Sequence, residues 1–547
     1  MTCFALALFL AGCDGSGGSG GSGNDVDPGP TVRLSGRITY AFVPAVAPST
    51  DRNAPEAYLD YDNTEIRPAR GVQVAVVAAD DGRELAAGTT DGQGRYALDV
   101  PKNTPIRVRA LARLLQPPGQ GASWDFSIRD NTSPGYRDLA AQASLYAMEG
   151  DTFDSGTAAL SRNLHADSGW TGAGYGAPRS AAPFAILDQF YSAIQKILAS
   201  DAQAVFAPMV AYWSIHNRPA TGDKAAGEIS TSHWQSSTDR PGLYILGLAD
   251  EDTDEYDTSV VVHEWGHYFE SNLSRSDSIG GGHGSGDALD MRVAFGEAWG
   301  NALAGMVRDD PVYVDTMGVH QAEPGVIMDL DEIPANEPRG WFNEASVQHL
   351  LYRLYQAPGI GFGPIYQVMA GPQKTTDAFT SLFSFATYLR AASDAAAQGV
   401  LDTLLTEINT VAGTGLDIWG THQDYPASLP GGYEDFVVPV YRDLPLGPAG
   451  LTVCGTDRAG DTGNKLGNEQ FLRVRIKQSG DYRLALAPSP KSGPGDTADV
   501  TLFSQGQLEG GLEEIGHDDG PLEAGIYTLS VANQPLTGCV VVSLDKL

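Results

Sequence analysis

Apolar and polar residues alternate over residues 32–40, 72–77, 95–100 and 106–110, the period-two signature of strands with one buried face. Turn formers, notably Asp80-Asp81-Gly82 and Asp91-Gly92-Gln93-Gly94, separate these runs. Residues 31–115 are therefore predicted to form a β-sandwich. Residues 116–180 are rich in Gly, Ser, Asp and aromatics and show no clear period. From Ala182 the spacing changes: Phe184, Leu187, Phe190, Ile194 and Leu198 recur every three or four positions, one face of a helix. Further helices are predicted over 258–273, 290–307, 341–356, 376–395 and 399–411, with a short strand at 241–247 ahead of them. A strand followed by a helix cluster makes 116–445 an α+β section. Alternation returns at 471–476, 482–486, 499–503, 525–531 and 539–543, so 446–547 reads as a second β-sandwich. The expected architecture is thus multidomain: β-sandwich, central α+β section, β-sandwich. A chain of 547 residues is also too long for one ordinary core.

Two resemblances refine the flanks. The run Gly88-Thr-Thr-Asp-Gly-Gln-Gly-Arg-Tyr96 resembles the transthyretin-like sandwich of the carboxypeptidase regulatory family, which implies an accessory domain without catalysis. The C-terminal strands resemble the pre-peptidase C-terminal domains appended to secreted bacterial proteases.

Composition changes the picture in one respect. With 35 basic against 68 acidic residues the formal charge is −33, which argues against a nucleic-acid partner and against direct attraction to an anionic membrane. The apolar run at 3–10 has signal-peptide length and ends in Leu10-Ala11-Gly12-Cys13, which resembles a bacterial lipobox. That resemblance implies a signal peptide over 1–12, a lipidated Cys13, a Gly/Ser linker over 13–30 and a place in the cell envelope, on its periplasmic or extracellular face. Of four cysteines, Cys3 would then leave and Cys13 would carry lipid. Cys454 and Cys539 remain, and an exported compartment permits them to pair.

The chemistry sits in Val260-Val-Val-His-Glu-Trp-Gly-His267, an H-E-x-x-H pattern. On a helix His263 and His267 lie one turn apart and can bind one zinc through neutral nitrogens. Glu264 then flanks a zinc-bound water as general base. Metzincins need Gly and His three and six residues further on; Glu270 and Leu273 stand there instead. Gly296-Glu-Ala-Trp-Gly-Asn301 supplies a glutamate on a second helix. Together these segments resemble the fungalysin-like and thermolysin-like gluzincins, zinc metallopeptidases. The resemblance implies a zincin-like catalytic domain, Glu297 as third ligand, Asn301 where the family has an orienting Asp, and a protein or peptide substrate.

Several points stay open. Glu270 shares the histidines' helix face but lies about 10 Å along the axis from His263. His283, Asp287 and Asp290 are also within sequence reach, although the glycines around His283 read as too flexible to build a site. The histidine that fungalysins place before the 341–356 helix is absent, leaving His349 and Tyr352 as candidates to stabilise an oxyanion. The acidic run 250–255 matches no EF-hand loop; it reads as solvated, with calcium the alternative the family suggests. An inactive zinc-bearing binding protein and a zinc hydrolase of a non-peptide bond remain rival readings, and oligomeric state is not legible.

Overall fold

The computed structural model describes residues 29–49, 56–119, 121–138, 142–237 and 239–547. The expected signal peptide, Cys13 and nearly all of the 13–30 linker lie outside these residues. Among the described residues no helix is long and apolar enough to cross a membrane.

The alternation at the start of the chain gives strand Thr31–Phe42, which buries Val32, Leu34, Ile38 and Tyr40 and leaves Arg33 and Arg37 outward. It pairs antiparallel with Arg95–Pro101 and with Glu65–Pro68. The opposing sheet is built on Val72–Ala78 and Pro105–Gln116. That second sheet does not stop at residue 115. Pro105–Gln116 pairs with Trp124–Asp130, which runs parallel to Met209–Trp213. Next comes Gly242–Ile245, also parallel, and finally His233–Gln235, antiparallel, at the edge. One ten-stranded sheet therefore crosses the boundary expected at 115/116. The 116–180 stretch without a period supplies part of it. The crossing is made by the antiparallel pair Pro105–Gln116 and Trp124–Asp130, because alternation marks a strand without marking its partner. Beyond it, parallel strands pair across long connections that local periodicity does not register. A single hydrophobic core follows, from Val32 through Trp265 and Trp299 to Leu466.

Against this sheet lie helices Ala182–Leu198 and Thr258–Asn272; Met291–Arg308 packs on the second of these and Glu344–Gln356 on Met291–Arg308, all close to their predicted spans. The 376–395 prediction shortens to Leu382–Ala392, where Ser381 and Ser384 form a capping box. The 399–411 helix shifts to Ala395–Glu407, with Asp394 accepting the N–H groups of Ala396 and Ala397. Between Met291–Arg308 and Glu344–Gln356, hairpin Val312–Met317/Glu323–Asp329 packs Val314 and Ile327 against Ala57 of the N-terminal section.

The C-terminal section has its own core of Leu472, Val474, Leu484, Val500, Leu529 and Val542 among others. Five-stranded and four-stranded sheets enclose it. The first of these includes Tyr441–Asp443, a few residues ahead of the expected start. Cys454 and Cys539 are directly opposite in paired strands and disulfide-bonded. The protein is thus β-rich, with several sheets and more than one core.

Candidate metal centre

Val261 and Val262 are fully buried, which fixes the roll of helix Thr258–Asn272 and turns Val260, His263 and His267 to the open side. Helix Met291–Arg308 crosses it where Gly266 meets Gly300. A Cβ on Gly266 would lie 3.0 Å from the Gly300 Cα, and one on Gly300 would lie 2.7 Å from His263 Nδ1. Only glycine permits this approach, and it brings Glu297, one turn before Gly300, opposite the two histidines.

The result is a tight triad. His263 Nε2 and His267 Nε2 are 3.1 Å apart, and Glu297 Oε2 lies 3.3 Å from the first and 3.4 Å from the second. Tetrahedral zinc with bonds of about 2.0–2.1 Å has ligand edges of about 3.3 Å. The three ligand atoms therefore already stand at the spacing such an ion imposes. Burial alone would lower both imidazole pKa values, but Glu297 and Glu264 outweigh it and hold them above the usual value. Burial would likewise raise Glu297, yet the two histidines keep its carboxyl well below the ordinary range. A cation in the triad would take over this charge balance.

Each histidine is held from behind. His263 Nδ1 is 2.7 Å from Asn301 Oδ1. The Asn301 amide donates in turn to Glu344 Oε1 and Gln348 Oε1, each at 2.7 Å. His267 Nδ1 faces Glu270 Oε2 at 3.5 Å, and Glu270 is fully buried. Glu270 thus stands on the far side of His267 from the triad and does not reach its centre. Carboxylate or carbonyl partners on ligand histidines fix tautomer and ring orientation.

Glu264 is buried beside the triad, with Oε1 3.9 Å from His263 Nε2. Its Oε2 accepts the backbone N–H of Trp234 at 2.8 Å. Burial raises its pKa, and the histidines oppose that rise. Trp234 belongs to the edge strand His233–Gln235, a contact no side-chain motif could have announced. The triad, Glu264, Trp234, Asn301, Glu344 and Gln348 line a cleft of about 1200 Å³, with Glu270 behind it.

One pair of candidates falls to ordinary packing, and one sequence expectation is corrected. His349 is buried, with Nδ1 against the Leu330 carbonyl at 3.2 Å, and Tyr352 packs beside Tyr355. Neither lines the cleft, because that face of helix Glu344–Gln356 turns into the core while Glu344 and Gln348 face the site. The 250–255 run is not solvated as a whole, since Asp254 and Glu255 are buried. Glu255 pairs with buried Arg179. One oxygen each of Asp252, Asp254 and Asp315 fall within 4.8 Å of one another. The Oδ1 atoms of all three lack a hydrogen-bond partner. Asp315 comes from the 312–329 hairpin and carries no motif. Burial raises the Asp254 pKa well above its usual value, and the neighbouring Asp252, Asp315 and Asp257 add to the rise.

Of the other ligand candidates, Asp290 caps helix Met291–Arg308 through the Arg292 N–H and pairs with the Arg292 side chain. Asp287 pairs with Lys465. His283 is at the site: its Nε2 lies 3.6 Å from Glu297 Oε2 and 3.7 Å from Glu344 Oε2.

No family model and no curated protein matches the sequence. Among solved structures, the pre-peptidase C-terminal domain of a collagenase from Bacillus anthracis is similar at 12% identity. That match covers 19% of this chain and 93% of that one, with a TM-score of 0.14. A 9R-lipoxygenase from Cyanothece PCC8801 matches at 11% identity over 34% of this chain and 26% of that one, with a TM-score of 0.13. Neither likeness carries weight for fold or function at such scores.

Proposed function

We propose that this chain is a zinc-dependent endopeptidase of gluzincin type, with a zincin-like central section. His263, His267 and Glu297 would hold the metal and Glu264 would serve as general base. The observation that carries this reading is the triad of ligand atoms 3.1, 3.3 and 3.4 Å apart, with a buried glutamate next in sequence to the first ligand. A zinc ion held there supplies Lewis acidity toward a carbonyl oxygen and lowers the pKa of water.

The chain's own groups do the rest. Trp234 N–H fixes Glu264 Oε2, which leaves Oε1 to take a proton from the attacking water and return it to the leaving amine. Burial favours the protonated carboxyl, so the proton is retained long enough to be passed on. Asn301 and Glu270 hold the imidazoles in register. The edge strand His233–Gln235 is paired on one side only among the described residues and lines the cleft, offering an extended peptide a strand to add to.

The lipobox resemblance supports a lipid-anchored place in the bacterial envelope, and the gluzincin resemblance supports a protein or peptide substrate. The Asp252, Asp254 and Asp315 cluster is the place for calcium, since three carboxylates with no cationic partner among them suit a hard ion. Digestion of casein by the purified protein, with and without a zinc chelator, tests the reading. Chelator-sensitive cleavage restored by zinc is expected; no cleavage by zinc-loaded protein overturns it.

A further inference from the structure

Three imidazole nitrogens, not two, surround Glu297 Oε2: His263 Nε2 at 3.3 Å, His267 Nε2 at 3.4 Å and His283 Nε2 at 3.6 Å. The third comes from the strap that joins the two site helices, within Gly280-Gly-Gly-His-Gly-Ser-Gly286.

The strap is tethered where its glycines suggest it should be loose. The Gly282 carbonyl accepts from Asn464 Nδ2 at 3.1 Å and from Lys465 Nζ at 3.0 Å. Lys465 Nζ also binds Asp287 Oδ2 at 2.9 Å. Backbone bonds from Leu466 N to Ala288 O and from Asp290 N to Asn464 O, both 2.9 Å, close the seam. Gly281 has φ +99, and a Cβ there would sit 2.9 Å from Asn464 Nδ2, so glycine is what allows the contact. Residues 464–466 belong to the connection between strands Gly447–Cys454 and Glu469–Ile476. A C-terminal loop thus holds the strap over the cleft.

The ring itself is set as a ligand. His283 Nδ1 lies 3.1 Å from the Gly281 carbonyl, a partner that only an N–H can serve. With the proton on Nδ1, the Nε2 lone pair faces the triad. This is the arrangement in which metal-binding histidines are found, one nitrogen donating to a backbone carbonyl and the other free. At 3.6 Å from the Glu297 oxygen it borders the triad from outside, since the group within 4.8 Å of one another is His263, His267 and Glu297. A shift of the ring toward the two helix histidines brings it to a fourth position. Its side chain is also more exposed, 27% against 11% for His263 and 19% for His267. It can therefore leave toward the cleft without breaking a core contact.

We infer that His283 is a fourth, displaceable ligand, which closes the metal site at rest and is released when substrate enters. The inference rests on the proposed zinc site. It assigns the strap a latch function, and it makes the C-terminal loop part of that latch. His283 Nε2 also lies 3.7 Å from Glu344 Oε2, so the competing reading is a simple imidazole–carboxylate contact.

The full-length chain separates the two. Zinc affinity is measured by competition with a chromophoric chelator, and the ligand field by the visible spectrum of the cobalt(II)-substituted protein. His283→Ala is expected to weaken zinc by at least roughly tenfold, the scale for disturbing a ligand set, and to alter the cobalt bands. His283→Cys should add a thiolate-to-cobalt charge-transfer band. Lys465→Ala, which leaves every ligand in place, should weaken zinc in the same direction by less. Zinc held by His283→Ala within twofold of wild type, with no new band in His283→Cys, overturns the latch while leaving the triad standing. A wild-type chain that binds no zinc overturns the latch and the proposed function together.

Discussion

Asn301 and Glu344 are joined by a 2.7 Å hydrogen bond from the Asn301 amide to Glu344 Oε1, while the Asn301 carbonyl oxygen takes the Nδ1 proton of His263. The amide serves an imidazole on one side and a carboxylate on the other. An aspartate could orient His263 equally well, but it would set a second carboxylate against Glu344. An asparagine at this position therefore has a local cause.

That coupling gives the first prediction. Asn301→Ala should weaken zinc by about 10–100-fold, the usual effect of removing a ligand's supporting partner. Asn301→Asp should also lose affinity, and Asn301→Asp combined with Glu344→Gln should recover most of it, because the pair shares one hydrogen bond. Zinc affinities of the three variants check this. A single Asn301→Asp that binds zinc as tightly as the double variant would contradict it.

Glu297 and Glu270 are distinguished by where they meet the histidines. Glu297 Oε2 touches the Nε2 side of both, whereas Glu270 reaches only Nδ1 of His267. Metal analysis after dialysis should find Glu297→Ala without zinc. Glu270→Ala should keep one equivalent, at an affinity reduced about 10–100-fold. Loss in the second with retention in the first would reverse the ligand assignment.

The acidic cluster carries a pH signature. Burial, with Asp252 beside it, pushes Asp315 up to about 8, and burial pushes Asp252 up to about 6. These carboxyls bind protons in the folded state that the unfolded chain releases near pH 4. Between about pH 4 and pH 8 the folded form therefore holds more protons, and without a cation this cluster costs stability as pH rises. Calcium binds the deprotonated form and should reverse the trend. In zinc-loaded protein, added calcium is expected to raise Tm at pH 8 and to have little effect at pH 5. No rise at pH 8 would remove calcium from this cluster.

The sequence made the helical half of the site legible because its logic is local. His263 and His267 are four apart on one helix, the 260–262 valines mark its buried side, and Glu297 stands on the next helix. What escaped are the groups that distant chain brings in. Asp315 lies on a hairpin some sixty residues after Asp254. The Trp234 N–H that holds Glu264 is backbone and has no residue signature. Glycines around His283 read as looseness because their tethers, Asn464 and Lys465, stand 182 and 183 residues later. The N-terminal section read as a separate sandwich for a similar reason. Its alternation marks strands but not their partners, and the pairing of Pro105–Gln116 with Trp124–Asp130 carries its sheet into the section that holds the candidate metal centre.

Glu264 acting as the base beside a metal held by other residues is central to the proposed function, and Glu264→Gln tests it most directly. The amide keeps the shape and the Trp234 contact, touches no ligand, and cannot take a proton from water. Casein cleavage and zinc content are measured on the same purified protein. The account predicts one equivalent of zinc, an unchanged Tm, and a rate lower by about 10²–10⁴. A variant that binds zinc and cleaves casein at the wild-type rate would contradict it.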